Sequence, residues 1–278
     1  MPDVRIEYDI CYAKAAGSEL CLDIYRPDVP GEVPVVLYLH GGGWARGDKR
    51  DFAERLERMA ANGVAVASAN YRLVPDHVYP ANIHDTKAAV RWLRANGAQR
   101  GLGVGNIGIW GASAGGYLAV MTGLTAGDHE LEGDVGDHLD QSSAVQAVVT
   151  WFSVHDFMTT SYQSPLEKRL QGKTLAAGLF GLDEVAAGNS VVRNASPVRR
   201  IHAGAPPFLI AHGDCDSIVQ ASESANLLAA FSREGLDATL CLIAAAGHED
   251  PKFDSASNLA MTAAWLKAKL DPGRADGN

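Results

Sequence analysis

Six runs of mainly apolar residues are spaced along the chain between position 33 and position 245, and most of them show no regular alternation with polar residues. A continuous apolar run of this kind is typical of a strand buried on both faces of a parallel sheet. The runs therefore predict six central strands: VPVVLYL from position 33, VAVASANY from 64, NIGIWG from 106, AVQAVVTWFS from 144, PPFLIAHG from 206 and DATLCLIAA from 237.

Helical patterns separate these runs. Gly63 and Gly97 end two of them as C-caps, and Pro80 begins the second, as expected at helix ends. Strands that alternate with helices predict an α/β protein whose parallel sheet is covered on both faces. The predicted helices are DFAERLERMAANG from position 51, PANIHDTKAAVRWLRANG from 80, AGGYLAVMTGLT from 114, ASESANLLAAFSREG from 221 and SASNLAMTAAWLKAKL from 255.

The N-terminal segment follows a different pattern. Apolar and polar residues alternate over 5–12 and 19–25 around the turn AKAAGS, which predicts a β-hairpin over 5–25 with Tyr8 and Tyr12 on one face. This hairpin brings the sheet to eight strands and places Cys11 near Cys21. We interpret 1–278 as a single domain, with a lid-like insertion at about 158–196 and a flexible tail at 271–278.

Composition excludes several classes of protein. The chain has 278 residues, is 47% hydrophobic and carries a net charge of −9 without a basic cluster, which argues against a nucleic-acid partner. It begins without a secretory signal and has no apolar stretch long enough to cross a bilayer, so we expect a cytoplasmic protein. Its four cysteines lack C-x-x-C spacing, which favours free thiols over a zinc or redox site. The acidic loop 125–143 lacks the spacing of a calcium loop.

GIWGASAGG contains G-x-S-x-G at Gly111, Ser113 and Gly115, between a predicted strand and a predicted helix. A serine on such a turn has its hydroxyl exposed above the sheet, and small neighbours allow the strained turn to pack. A nucleophilic serine also needs a base and a group that orients the base. His248 follows the last predicted strand, and Asp214 and Asp216 follow the one before it, which gives the order Ser, Asp, His.

HGGGW follows the first buried strand, and three adjacent glycines allow the backbone to approach a ligand closely. Acyl transfer places negative charge on a carbonyl oxygen, which backbone N–H groups stabilise when they are already in position. We assign the N–H groups of Gly42, Gly43 and Ala114 to this oxyanion hole. His40 is interpreted as a brace for the glycine loop, and His155–Asp156 as part of a pocket wall.

HGGGW, YRLVPDHVYPA, GASAGG, HGDCDSIV and AGHED together resemble the α/β-hydrolase esterases of the hormone-sensitive-lipase branch and the related feruloyl- and acetyl-xylan-esterase-like carboxylesterases. The resemblance implies the α/β-hydrolase fold, with Ser113 as nucleophile, His248 as base and Asp216, which fits H-G-x-x-D-x-x-V, as the acid. The chain departs from the lipase branch at Ala112, where that branch has an acidic residue, and in lacking a long N-terminal cap segment.

The predicted function is that of a serine carboxylesterase acting on short-chain or small aromatic esters through an acyl-enzyme, a mechanism that needs no cofactor and no metal. Two alternatives are an arylformamidase that cleaves N-formyl-kynurenine and a non-catalytic small-molecule receptor on the same fold. The expected partner is a small ester substrate. We expect the protein to bind neither nucleic acid nor a membrane, and the sequence leaves open whether it forms a homodimer. The predicted pocket wall comprises Trp44, Tyr71, Trp151, Phe152, Phe180 and Ile218.

Overall fold

A computed structural model describes residues 2–158, 174–186, 188–271 and 273. One eight-stranded sheet has the order β1-β2-β4-β3-β5-β6-β7-β8, in which β2 is antiparallel to both β1 and β4 and the other neighbours are parallel. The strands are β1 Val4–Ala15, β2 Ser18–Pro27, β3 Val33–Leu39, β4 Ala65–Ala69, β5 Leu102–Ala112, β6 Ala147–Trp151, β7 Phe208–Gly213 and β8 Ala238–Ile243. The predicted mostly parallel sheet of the α/β-hydrolase fold is confirmed.

Helices cover both faces of the sheet. One hydrophobic cluster joins α2, α3 and α7 to the sheet, and a second joins α1 and α8 to the opposite face. Val35 and Leu37 belong to the first cluster and Val36 and Tyr38 to the second, as expected where neighbouring side chains of a strand point to opposite faces. The described helices are α1 Ala53–Ala61, α2 Ala81–Asn96, α3 Ala114–Leu124, α4 His129–Glu132, α5 Leu175–Leu179, α6 Ser190–Asn194, α7 Ser222–Arg233 and α8 Ala256–Leu270.

The N-terminal hairpin forms, but its strict alternation is wrong. The register of β1 on β2 shifts between Glu7 and Ile10 and again between Cys11 and Ala13, and Asp9 has a φ of 55°. These irregularities turn the Tyr8 ring out, where it is 54% exposed, whereas Tyr12 is buried. A β-bulge adds a residue to one strand and so changes which side chains face inward. Cys11 lies opposite Cys21, and both are free thiols, as predicted.

The predicted insertion at 158–196 lies partly outside the described residues, since 159–173 and 187 are not described. Its described part contains the short helices α5 and α6. Most of the predicted tail, 272 and 274–278, also lies outside the described residues. The single-domain boundaries therefore stay predictions.

The acidic loop that follows α3 is tied to α2 by buried cations. Glu132 accepts hydrogen bonds from Lys87 Nζ at 2.8 Å, Arg91 Nη1 at 2.9 Å and Ser143 Oγ at 2.6 Å. Its carboxylate thus pairs with cations of this chain. Across the residues that the structure describes, no cluster of three or more His, Cys, Asp or Glu side chains could hold a metal ion, and no helix is long and apolar enough to cross a membrane.

Candidate active site

Ser113 forms a sharp turn between β5, which ends at Ala112, and α3, which begins at Ala114. Its φ of 52° and ψ of −117° are unfavourable for a residue with a side chain and persist only where the surrounding structure holds them. The flanking glycines explain how this turn packs. A Cβ atom on Gly111 would clash with the Gly115 carbonyl, and one on Gly115 would clash with the Leu39 carbonyl. The G-x-S-x-G spacing is therefore a steric requirement of this turn.

A continuous chain of hydrogen bonds joins the three residues predicted to react. Ser113 Oγ lies 2.9 Å from His248 Nε2, and His248 Nδ1 lies 2.7 Å from Asp216 Oδ2. Because a carboxylate only accepts hydrogen bonds, Nδ1 of His248 carries the proton. In the neutral imidazole, Nε2 is then free to accept the proton of the serine hydroxyl. The arrangement suits removal of a proton from Ser113.

Asp216 is fixed by hydrogen bonds to both of its carboxylate oxygens. Oδ1 accepts from the backbone N–H groups of Ile218 and Val219, each at 2.9 Å, while Oδ2 faces His248 and His212. Burial alone would raise the pKa of Asp216, but the hydrogen bonds from the two histidines and the backbone outweigh burial and hold that pKa well below its ordinary value. The carboxylate of Asp216 is therefore charged in the folded protein near neutral pH.

Asp214, the other carboxylate considered from the sequence, points elsewhere. Its Oδ1 accepts the N–H of Ala245 at 2.6 Å, which links the ends of β7 and β8. The structure thus brings Asp216, and not Asp214, to His248.

The glycine loop after β3 presents unpaired backbone donors beside Ser113. Gly42 and Gly43 have φ values of 112° and 63°, and among the described residues neither N–H group has a hydrogen-bond acceptor. Ala114 is the first residue of α3, where the N–H groups of a helix have no partner within the helix. Trp44 Nε1 donates to the Ala114 carbonyl at 3.1 Å and so joins the loop to the start of α3.

His40 and Tyr71 support this loop from below. The His40 ring stacks on the Tyr71 ring with centroids 4.4 Å apart, and the Tyr71 hydroxyl donates to the His40 carbonyl at 2.8 Å. Burial lowers the pKa of His40, so its imidazole is neutral near pH 7. His40 and Tyr71 therefore contribute packing and a hydrogen bond rather than a proton.

A cavity of about 360 Å³ opens beside Ser113 and His248. Ile218 lines it, as predicted from the sequence, but the five aromatic residues of the predicted wall are not among its described lining residues. That lining consists of Gly41, Gly42, Gly43, Arg46, Gly47, Asp51, Phe52, Ser113, Leu175, Ile218, His248 and Glu249. The cavity therefore has a more polar rim than the predicted aromatic wall implied.

The five aromatic side chains pack around the site instead of lining this cavity. Tyr71 packs against His40, and Trp44 reaches from the end of the glycine loop to the Ala114 carbonyl. Trp151 is fully buried against Trp110 on the face covered by α1 and α8, because its position in β6 points it to that side. Phe152 is also fully buried and meets the His248 ring edge-on at 4.9 Å, so it supports the base. Phe180 packs on Tyr79 and Phe157.

Five side chains that line the cavity were missed from the sequence, namely Arg46, Asp51, Phe52, Leu175 and Glu249. Only Glu249 carried a signal, since it directly follows His248. Arg55 of α1 fixes two of these five: its guanidinium donates to Glu249 Oε1 at 2.8 Å and lies 4.3 Å from the centre of the Phe52 ring. It also donates to Asp254, so a buried cation holds the loop that follows His248.

His155 and Asp156 do not form an acid–base pair. Asp156 Oδ1 accepts the N–H of Met158 at 2.9 Å, in keeping with the predicted bond to nearby backbone. His155 is fully buried, and neither ring nitrogen has a hydrogen-bond partner among the described residues. Burial, together with the charge of nearby His212, lowers the pKa of His155 to about 3. Its imidazole is therefore a neutral part of the core.

Comparison with known proteins agrees with this geometry. The model of the family described as BD-FAE matches residues 22–231, which is most of the chain. The chain belongs to the BD-FAE family. This BD-FAE protein is 33% identical over 219 residues to the esterase LipC of Mycobacterium tuberculosis, a match that covers 76% of the chain and 53% of LipC. The chain spans about half the length of LipC and of two other mycobacterial relatives, LipM and LipQ.

Solved structures resemble this BD-FAE protein over nearly its whole length. A truncated carbohydrate esterase from gut microbiota is 27% identical, with a TM-score of 0.85 and 96% of both chains covered. A thermophilic esterase from Thermogutta terrifontis, solved with propionate bound, is 25% identical, with a TM-score of 0.75 and 98% of this chain and 97% of that chain covered. These neighbours support the assignment of the fold and of the family.

Proposed function

We propose that this protein is a serine carboxylesterase that hydrolyses small esters through an acyl-enzyme. The observation that carries the proposal is the hydrogen-bonded chain Ser113–His248–Asp216 beside the amides of Gly42 and Gly43, which have no acceptor among the described residues. A receptor on the same fold would not need all of these parts together. The esterase names of the relatives support the same reaction.

In the proposed reaction, His248 removes the proton of Ser113 as the Oγ atom attacks the ester carbonyl. The N–H groups of Gly42, Gly43 and Ala114 stabilise the negative oxygen that forms, and each such donor is typically worth about 3 kcal/mol in the transition state. Asp216 holds the imidazole in the required tautomer and stabilises its protonated form. His248 then donates its proton to the leaving alcohol, and water repeats the sequence on the acyl-enzyme.

The size of the cavity supports a short acyl group. About 360 Å³ lies near the lower end of the range of about 300–1,000 Å³ usual for small-molecule sites. Leu175 and Ile218 supply apolar contacts, while Arg46, Asp51 and Glu249 make the rim polar. The Thermogutta esterase was solved with propionate bound, which favours acids of that length. We therefore propose acetate, propionate and butyrate esters as the preferred substrates, with small aromatic acids next.

We also propose a cytoplasmic location, where the facing thiols of Cys11 and Cys21 would stay reduced. Subcellular fractionation of the native host with an antibody to the protein tests the location. Recovery with exported proteins contradicts it.

The activity is tested with p-nitrophenyl acetate, butyrate and decanoate, methyl ferulate and N-formyl-kynurenine. We expect the acetate and butyrate esters to be hydrolysed fastest and Ser113→Ala to lower turnover about 10⁴- to 10⁶-fold without changing thermal unfolding. Ser232→Ala, which removes an exposed hydroxyl from α7, is the matched control and retains full activity. Wild-type rates in Ser113→Ala would contradict the proposal, and faster cleavage of formyl-kynurenine would favour an amidase.

A further inference from the structure

Asp216 Oδ2, the carboxylate oxygen that faces His248, also contacts a second imidazole. His212, at the end of β7, places Nε2 3.2 Å from this oxygen and 2.8 Å from the carbonyl oxygen of Val219. The side chains of His212 and Asp216 are both fully buried. This contact takes no part in the proton transfer between Ser113 and His248.

The hydrogen-bond partners of His212 fix the position of its proton. Both the Val219 carbonyl and the Asp216 carboxylate only accept hydrogen bonds, so Nε2 carries a proton whether the ring is neutral or charged. Nδ1 lies 2.7 Å from Ser224 Oγ of α7, a hydroxyl that can donate to it. The Nε2 proton of His212 is therefore shared: its shorter contact, at 2.8 Å, is with the Val219 carbonyl, and its longer one, at 3.2 Å, is with Asp216 Oδ2. Ser224 holds the ring from its other side.

Two donors on one carboxylate oxygen share its negative charge. Each hydrogen bond that stabilises the charged carboxylate makes the oxygen less basic toward the other donor. The protonated form of His248 is stabilised by this same oxygen, and any charge drawn toward His212 weakens that stabilisation. His248 consequently gives up its proton, and becomes a competent base, at a lower pH than a single Asp–His pair would allow.

We propose that His212 is a positioning residue that sets the pH at which His248 becomes active, because its Nε2–H group, shared with the Val219 carbonyl, also faces Asp216 Oδ2 at 3.2 Å. The inference rests on the proposed esterase function for its kinetic consequence. Its physical content, the effect of one buried imidazole on the protonation of another, does not depend on turnover.

Several other polar and aromatic groups face the two histidines. His248 faces Ser113 Oγ and the Phe152 ring, and its neighbour Glu249 is paired with Arg55. Around His212 lie Ser224 and the neutral, buried His155, and Glu223 of α7 accepts the backbone N–H groups of His155 and Asp156. Of these groups, only Ser224 is hydrogen-bonded to the side chain of His212.

Two amide substitutions distinguish the effect of the N–H group that faces Asp216 from the effect of the packing of the ring. The longer amide of His212→Gln places its N–H₂ group near the position of Nε2, so it can still donate to Asp216, whereas the amide of His212→Asn reaches only the position of Nδ1. Ser224→Ala removes the partner of Nδ1 and weakens the donor without removing it. His202→Asn changes an exposed histidine and serves as the control.

Two measurements are made on each variant. The first is the midpoint of the acid limb of kcat/KM against pH for p-nitrophenyl acetate. The second is the midpoint of the pH titration of the His248 Cε1 proton by NMR, assigned by its loss in His248→Asn. We expect His212→Asn to raise both midpoints by about 0.5 to 1 pH unit, a fraction of the effect of one charged hydrogen bond. Ser224→Ala raises them less, and His212→Gln and His202→Asn leave them unchanged.

A lower kcat in His212→Asn with both midpoints at their wild-type values would show a purely structural role and overturn the inference. A shift to lower pH would overturn it as well. If the wild-type protein hydrolyses no ester, the proposed function fails, while the NMR titration still decides the role of His212. If His212→Asn does not fold, the comparison of Ser224→Ala with His212→Gln decides. We then expect both midpoints to rise in Ser224→Ala and to stay at their wild-type values in His212→Gln.

Discussion

Gly42 has a backbone conformation that favours glycine, and its surroundings leave no room for a side chain. Its φ is 112°, and a Cβ atom there would clash with the carbonyl of Arg46. The same loop directs the N–H groups that we assign to the oxyanion hole. Gly42 therefore has to be free of a side chain and also has to hold its N–H group in position. Any side chain at this position has to displace the loop and its donors together.

We therefore expect Gly42→Ala to lower kcat for p-nitrophenyl acetate at least about 100-fold, the usual cost of losing one oxyanion donor. Gly17→Ala is the matched control, because Gly17 also has a positive φ, of 80°, but a Cβ atom there would meet nothing within 4 Å. The control should lose about 1 kcal/mol of stability in urea unfolding and keep its activity. Equal activities of the two variants would argue against the oxyanion role of the loop.

At the residue scale, the sequence predicted the residues that lie in turns with unusual backbone conformations. Ser113 could be found because the steric demands of its turn leave a pattern of glycines in the sequence. Trp151 and Phe152, which the sequence placed in the wall of the pocket, are fully buried and are not among the described residues that line the cavity. Position after a strand does not reveal which side of the sheet a ring occupies, and Phe152, with a φ of 38°, departs from the pattern of the strand before it.

The N-terminal hairpin is joined to the segment that follows the glycine loop by a network of charges. Lys49 Nζ lies 2.8 Å from Asp9 and 3.1 Å from Asp23, and Arg50 also contacts both carboxylates. Asp23 and Lys49 are buried, whereas Asp9 is largely exposed. An element far from Ser113 in the sequence thus anchors the loop that carries Gly42.

Asp23→Asn should cost about 3 kcal/mol or more of stability in urea unfolding, because it leaves a buried ammonium group without its buried counter-charge. Lys14→Gln is the control: it breaks the Lys14–Glu19 pair of the same hairpin, whose side chains are 73% and 62% exposed. Exposed pairs contribute about 0–1 kcal/mol, so this variant should be close to wild type. Similar losses in both variants would contradict the anchoring role of Asp23.

At the element scale, periodicity predicted the strands and the longer helices because each buries a definite face. The hairpin was predicted too, but its irregularity at Asp9 was not. A bulge is held in place by contacts distant in sequence, here the hydrogen bond from the Asp9 N–H to Asp23 Oδ1 at 2.7 Å. Such a contact leaves no mark on the spacing of apolar residues.

At the scale of the whole molecule, the site follows from the parallel sheet. The glycine loop, Ser113, Asp216 and His248 follow β3, β5, β7 and β8, whose carboxyl ends lie along one edge. Functional groups of open α/β sheets gather at this edge. The chain order of the triad was therefore enough to predict that its members meet. The cavity was not predictable in the same way, because Leu175 comes from the insertion and Phe52 and Glu249 are held by Arg55.

Acid stability is a property of the whole fold, and His155 determines part of it. The pKa of His155 is about 3 in the folded protein, against about 6.5 for an unperturbed histidine. The unfolded chain therefore binds a proton between these values that the folded protein does not bind, and stability must fall as the pH is lowered through this range. Asp216 affects stability in a lower pH range. Because its pKa is lowered in the folded protein, its contribution to the unfolding free energy is lost only below about pH 4.

Between pH 7 and pH 5, His155 should therefore cost the protein about 2 kcal/mol of unfolding free energy, at about 1.4 kcal/mol for each pH unit below 6.5. His155→Leu fills the same buried space with a group that does not titrate. The unfolding free energy of this variant should therefore fall by about 2 kcal/mol less than that of wild type between pH 7 and pH 5. Urea unfolding at pH 5, 6 and 7 measures the difference, with exposed His202→Gln as the control that should follow wild type. Parallel pH profiles for wild type and His155→Leu would mean that position 155 is hydrated or opens easily enough to be protonated, contrary to its burial in the structure.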